Sequence, residues 1–428
     1  EDRLGDLGPF RRAARRRKHT TGITFYYPIK ELGYSTVLTI NQPLPTDGNI
    51  FIQNMVSSGE NLNNDFRSSR IRSRIGFNQP LHSFYSYNTI RSSLKRAELD
   101  HERSSKQYRR EELNLVYQVS SAYYNLLSLQ RSTEIAHLDL ERQLEAHEIS
   151  QNKYAAGLIR EVDALQMEVD LAEAQNNHDI AILNEVSAKN SFKELLGLDL
   201  NDSITLNNEL MYDIVIVDPV LAVDMALKNR LEVREQEIQI ELQKLNIKQQ
   251  RANGMIRGSI DAYFERAGVD QQTGVGLLSS IKNSYSNLLE RNASYGVGLT
   301  ITIPILDWGE NRALVRASES RLKQYNYRKE EVEREIETEV KNLIAGINSN
   351  LKRLQVLEKN VLVAEKSFEI TRQRFADGDI DSQGLALERN RLNNAYTSHL
   401  RAYINYQLSL ADLTRKTFYD FRNHHEVN

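Results

Sequence analysis

The 428-residue chain contains no cysteine. Disulfides, thiolate metal sites, a cysteine nucleophile and a lipid-bearing cysteine are therefore excluded within these residues. It also lacks any run approaching the roughly 20 consecutive apolar residues that a membrane-spanning helix needs. That does not exclude the membrane, because a transmembrane β-barrel alternates apolar and polar residues and barely raises mean hydropathy. Charge of one sign is not in excess. With 55 Lys and Arg against 58 Asp and Glu, the net charge is −3, which argues against a nucleic-acid binder. One local exception is the basic run Arg11, Arg12, Arg15, Arg16, Arg17 and Lys18, read as a solvated tail. Catalytic patterns are lacking too. The nine histidines include no His-Glu-x-x-His, and His424-His425 sit in a polar tail. Gly274-Val-Gly276 and Gly296-Val-Gly298 lack the third glycine of a phosphate loop. No enzyme, cofactor or metal is expected.

Hydrophobic residues make up 40% of the chain and charged ones 26%, so it is neither disordered nor a helical membrane protein. It begins with Glu1 and not Met, which is compatible with a removed secretory signal, although none is visible.

Proline is scarce and unevenly placed. The seven are Pro9, Pro28, Pro43, Pro45, Pro80, Pro219 and Pro304, leaving long stretches after Pro80 and after Pro304 without one. Glycine is sparse there as well, so both stretches can hold very long helices. Leu113, Val116, Val119, Ala122, Tyr123, Leu126 and Leu129 recur at three- and four-residue steps. Val332, Ile336, Val340, Leu343 and Ile347 do the same, with charged residues on the other face. A helix from about 82 to about 153 would run on the order of 100 Å, which implies a coiled coil or helical tube.

Elsewhere the period changes to two. Val297, Leu299, Ile301 and Ile303 alternate with Gly298, Thr300 and Thr302. Ile260, Ala262 and Phe264 alternate with polar neighbours, and residues 268–292 between these segments read as a long polar loop. Ile71, Ile75 and Phe77 alternate with Arg70, Arg72 and Arg74 up to Pro80, and an earlier strand lies near 34–42. Residues 49–57 either extend that strand or add another. Four amphipathic strands cannot close a barrel alone, since small closed barrels need about eight. An open edge in lipid leaves backbone groups unsatisfied. The barrel must be shared, and three copies of four strands give twelve.

The plan of hairpin, long helix, tight turn and returning helix occurs twice. Tyr154-Ala-Ala-Gly157-Leu-Ile is matched 221 residues later by Phe375-Ala-Asp-Gly378-Asp-Ile, and Pro80 and Pro304 close equivalent strands. A repeat this long indicates a duplicated half-molecule. The predicted fold is α+β: a long α-helical coiled-coil barrel with two β-hairpins contributing four strands to a trimeric 12-stranded transmembrane β-barrel, with an internal two-fold repeat. Its parts are a basic segment (1–33), a first hairpin (34–81), a first helical hairpin (82–218), a helix opening the second repeat (219–256), a second hairpin (257–304), a second helical hairpin (305–420) and a tail (421–428).

The stretch from Tyr154 through Gly157, Asp163 and Gln166 resembles the helix-turn-helix tip of the TolC-like outer-membrane efflux family. Phe192-Lys-Glu-Leu-Leu-Gly-Leu198, the helix opened by Pro219, and Thr302-Ile-Pro304-Ile-Leu-Asp307-Trp-Gly309 resemble its later elements in the same order. The resemblance implies a homotrimer in the bacterial outer membrane, contacting its lipid and extending into the periplasm. It implies docking to a periplasmic adaptor and an inner-membrane transporter, in a tripartite efflux or type I secretion system. It also assigns adaptor docking to grooves beside Gly157, Leu158, Ile159 and Gly378. Two departures stand out. The long helix that the family usually has before its first hairpin is missing, trimmed or altered here. The second tip carries Ile380 and Gly384-Leu-Ala where relatives often have a basic residue and aspartates.

Asp377, Asp379 and Asp381 crowd one tip and Asp163 follows the other. Repeated around a threefold axis, they would form a pore constriction that attracts cations and resists full ionisation. Ordinary turn chemistry also explains an Asp-Gly-Asp run. Arg70, Arg72 and Arg74 are candidates for the barrel lumen. A soluble coiled-coil scaffold or a periplasmic adaptor are the alternative readings of the same helices.

Overall fold

The computed structural model describes residues 18–20, 23–25, 30–206 and 210–427, the first two segments as backbone only. The arginines of the basic run, Arg11 to Arg17, lie outside the described residues. Two three-residue strands, β1 (Lys18–Thr20) and β2 (Ile23–Phe25), pair antiparallel. The chain divides into two compact units, one of residues 1–100 and 240–324, the other of 101–239 and 325–428.

The first unit holds a five-stranded antiparallel sheet in the order β3 (Glu31–Pro43), β4 (Asn49–Asn61), β5 (Phe66–Pro80), β6 (Arg257–Thr273) and β7 (Ser294–Thr302). Four strands were expected. The fifth arises because residues 49–57 belong to a strand of their own. Pro43 ends β3, and Leu44 to Gly48 form a tight reversal closed by Leu44 N–H donating to Gly48 O at 2.8 Å, with Asp47 at φ 62°. The first region is thus a three-stranded meander and not a hairpin.

A second correction concerns residues 268–292, expected as a loop. β6 runs on to Thr273, and an amphipathic helix, α5 (Leu277–Glu290), fills the rest. Its serines misled the reading. Ser280 and Ser284 are fully buried against the sheet, where Ser280 Oγ donates to Ser69 Oγ at 2.8 Å and Ser284 Oγ to Ser69 O at 3.0 Å. Gly268 makes the approach possible, since a Cβ there would lie 1.9 Å from Ser284 O.

The long helices follow the proline-free stretches: α1 (Thr89–Ala155, 67 residues), α2 (Glu161–Leu196), α6 (Glu310–Asp377, 68 residues) and α7 (Ser382–Thr417), with α3 (Pro219–Asn229) and α4 (Leu231–Asn253) opening the second half. α1 begins at Thr89, later than the expected 82, after a short 3-10 turn at His82–Phe84. Asp47 from the β3–β4 turn caps it, accepting from Thr89 N at 2.5 Å and Ile90 N at 2.7 Å. Among the described residues no helix is long and apolar enough to cross a membrane.

The core of the second unit lies where α3, α6 and α7 meet. Ile336, Val340, Ile347, Leu354, Tyr406 and Leu413 are buried there with Ala222 and Ala226. An extended segment, 210–218, is tied onto it: Tyr406 Oη donates to Asp213 O at 2.8 Å and accepts from Val215 N at 3.1 Å. Arg230 bridges Glu232 and Glu339, and Lys416 reaches Glu339 at 2.8 Å. Burial opposes ionisation of Glu339, but its hydrogen bonds from Arg230 and Lys416 outweigh it and hold the carboxyl below its ordinary pKa. The chain closes with a small hairpin, β8 (Tyr419–Asp420) and β9 (His425–Glu426).

Candidate channel surfaces

Two surfaces carry the predicted residues, one in each unit. The first is the sheet. Its register runs without a bulge, so alternate residues hold one face along the whole length. One cross-strand row is Ile40, Ile52, Ile75, Phe264 and Tyr295, and the next is Gln42, Ile50, Phe77, Ala262 and Val297. The five members of the first row are 58, 39, 49, 47 and 82% exposed, values no soluble core would allow. Arg70, Arg72 and Arg74 stand on the opposite face, as their alternation with Ile71 and Ile75 requires. There Arg72 lies 3.4 Å from Glu265, and the Arg74 guanidinium stacks over Tyr263 at 4.3 Å. Arg72 and Arg74 are thus held by neighbours on β6, and Arg70 shares their face.

The second surface is where each long helix turns back. α1 ends at Gly157 (φ +72°), with Gly157 N bonded to Tyr154 O and Leu158 N to Lys153 O, both at 2.9 Å. α6 ends identically at Gly378 (φ +92°), with Gly378 N to Phe375 O at 3.2 Å and Asp379 N to Arg374 O at 2.9 Å. Both are αL helix stops of the Schellman kind. The two turns are brought together: Leu158, Ile159 and Asp163 line one groove with Asp377, Gly378, Asp379 and Asp381. Residues predicted from separate halves of the sequence therefore share a site.

The aspartates are not equivalent within it. Asp163 is clamped by Arg160, whose Nε and Nη2 donate to its two carboxylate oxygens at 3.0 Å each. That hydrogen bonding lowers its pKa and raises that of Arg160. Inside one subunit, then, Asp163 ionises more readily and not less, contrary to what crowding alone predicts. Asp381 caps α7, accepting from Gly384 N at 2.9 Å. Asp377 and Asp379 are exposed.

Two cations here escaped the sequence reading. Lys153 donates to Phe375 O and lies 4.8 Å from the Phe375 ring centroid, so it ties the end of α1 to the end of α6. Arg160 precedes Asp163 by three residues, a spacing that signals a helical ion pair and could have been used. Below the groove, Met167, Phe368, Phe375, Leu385 and Leu392 pack as a second apolar cluster. Among the described residues no three His, Asp or Glu side chains converge as metal ligands.

The sheet and the paired tips invite comparison with proteins of known family. A family model described as outer membrane efflux protein matches residues 54–198 and 222–417, most of the chain. The chain belongs to the outer membrane efflux protein family. It is an outer-membrane channel subunit, and the scaffold and adaptor readings are set aside. It is similar to the alkaline protease secretion protein AprF of Pseudomonas aeruginosa, 22% identical over 343 residues, which cover 77% of this chain and 67% of AprF. Its fold is similar to the open-state MtrE outer membrane channel of Neisseria gonorrhoeae (TM-score 0.66, 17% identity, 90% of this chain and 80% of that one). The CmeC outer membrane channel of Campylobacter jejuni is comparable (TM-score 0.62, 15% identity, 91% and 77%).

Proposed function

We propose that three copies of this channel subunit close one shared β-barrel in the outer membrane and one helical conduit, passing cargo without energy of their own. The observation that carries this is the exposed apolar face of the sheet, backed by a polar face bearing Arg70, Arg72 and Arg74. Among the described residues, both outer strands, β3 and β7, have an unpaired edge. In lipid such edges cost several kcal/mol per unsatisfied group, and joining copies edge to edge removes them. The expected four strands included the one near 34–42, now β3; with five strands present, a twelve-stranded closure would instead use β4–β7 from each copy, whose outermost strands run in opposite directions and close antiparallel. The unbroken thirteen-residue pairing of β3 with β4 supports a second closure, in which β3 stays and meets β7 of the next copy in parallel. Because cysteine is absent, engineered disulfides read the seam cleanly. A cysteine at Gly298 in β7, paired with cysteines scanned along β3 or β4, should give covalent trimers for one strand only. Monomers throughout would refute the shared wall.

The tips are the periplasmic gate. Two matched segments of the same family model and two identical helix stops support the reading that the halves arose by duplication. An adaptor would seat beside Gly157, Leu158, Ile159 and Gly378, with an inner-membrane transporter supplying the energy; a role in secretion parallels that of the alkaline protease secretion protein AprF. Asp377, Asp379 and Asp381, repeated threefold, would attract cations at the constriction. Replacing all three with asparagine should abolish block by divalent cations in planar-bilayer recordings. Unchanged block would remove these residues from the pore.

A further inference from the structure

The shared wall leaves α5 without a role. This helix lies on the same face of the sheet as the apolar rows, because Ser69 and Gly268, which it covers, share the parity of Ile75 and Phe264. In a closed wall that face is the outside. The helix also sits at the end of the sheet away from Asp47 and the start of α1, hence toward the cell surface. Beyond Glu265, β6 has no strand on its outer side among the described residues, since β7 begins only at Ser294. α5 takes that place, with Asn287 Oδ1 accepting from Val269 N at 3.2 Å and Leu289 O from Arg266 Nη1 at 3.5 Å.

Three sides of the helix differ in character. Ser280, Ser284 and Leu288 face the sheet. Leu278, Tyr285 and Leu289, 83, 55 and 56% exposed, fall within about 40° of one another at 100° per residue. Ser279, Asn283, Ser286 and Glu290 form the remaining polar side. Where the apolar rows end, the next row up the sheet is Leu38, Asn54, Ser73 and Arg266. Arg266 thus marks the change from apolar to polar wall at the foot of α5, and Arg291 follows two residues after Leu289.

We propose that α5 is an interfacial helix. Its Leu278–Tyr285–Leu289 stripe seats at the acyl boundary of the cell-surface leaflet, while Arg266 and Arg291 meet the phosphates of that leaflet's lipid, with Lys282 beside the stripe. The chemistry is that of amphipathic helices lying on bilayers, an apolar stripe flanked by cations. Glu290 is the only carboxylate on the helix, and it lies on the polar side, away from the stripe.

This inference rests on the sheet facing lipid, and its test separates the two. In the full chain carrying Trp308→Phe, which removes the single native tryptophan, one reporter is added at a time: Tyr285→Trp, Leu289→Trp, Ser286→Trp or Val297→Trp. Each protein is reconstituted with brominated phosphatidylcholine or brominated phosphatidylglycerol. Emission at 285 and 289 should shift to shorter wavelength and be quenched, while 286 stays water-like. Quenching should be stronger in phosphatidylglycerol, and Arg266→Gln with Arg291→Gln should erase that preference. If Val297→Trp is quenched but 285 and 289 are not, the interfacial helix is wrong and the lipid-facing sheet survives. If none is quenched, both fall. Equal quenching in the two lipids overturns the pairing of arginine with phosphate.

Discussion

Tyr406→Phe isolates one hydroxyl at the joint between the two halves of the chain. The ring is fully buried, so the substitution keeps its packing and removes only the bonds to Asp213 O and from Val215 N. These two positions fare differently. Asp213 is exposed, and water can reach its carbonyl, whereas Val215 is buried in the core of the second unit and its N–H would lose its partner. An unsatisfied buried donor costs about 1–3 kcal/mol. At about 1.4 kcal/mol per tenfold, local opening should become roughly 5- to 150-fold more frequent. Hydrogen exchange read by mass spectrometry on peptides spanning 210–218 would report it, because this segment lies over the core and not within a helix. Peptides from mid-α6 should exchange as before. Unchanged exchange in 210–218, or acceleration spread evenly through the unit, would refute the claim that this hydroxyl pins the segment.

Four further outcomes are expected. Gly268→Val should force α5 off the sheet, since the added carbon would meet Ser284 O and Leu288 N; a protease site placed at Asn283 should become cleavable while β5–β6 pairing persists. Lys153→Met removes the tie between the ends of α1 and α6, and single-channel recordings should show a larger open probability, by a few-fold for a hydrogen bond to a charged group worth about 1.5–3 kcal/mol when buried and less at this part-exposed site. Arg160→Gln leaves Asp163 uncompensated, so cation block should strengthen if Asp163 lines the constriction, and an unchanged block would place it elsewhere. His399 is half-buried, and desolvation lowers its pKa against a smaller opposing pull from Glu358. The unfolded chain therefore takes up the proton first. Stability should be full above the ordinary value of about 6.5 and fall as pH drops through that value toward the lower folded one. His399→Gln should flatten this slope in urea unfolding of the detergent-solubilised protein.

Much of the architecture could be read from one dimension because it depends on local rules. Where proline and glycine are absent and apolar residues recur every three or four positions, a helix is the only element that buries the stripe, and α1 and α6 followed. The helix stops at Gly157 and Gly378 were visible because an αL residue must end such helices, and the matching of the two tips followed from their spacing. Alternation likewise placed Arg70, Arg72 and Arg74 on one face of β5, because side chains in a strand point to opposite sides by geometry alone.

What the tertiary structure decided was partnership. Serines that look like loop in isolation became the buried face of α5 only because Ser69 and Gly268, some 200 residues apart in the chain, offered a hydroxyl and a gap. A turn at 44–48 made an extra strand and a helix cap at once through Asp47, a contact no window of sequence contains. The aspartates at the tips looked alike until Arg160 was seen holding Asp163, and Lys153 reaching Phe375. Periodicity fixes which side of an element is apolar, but the energy of a polar group depends on what stands within 3 Å of it, and that is set by residues far away along the chain.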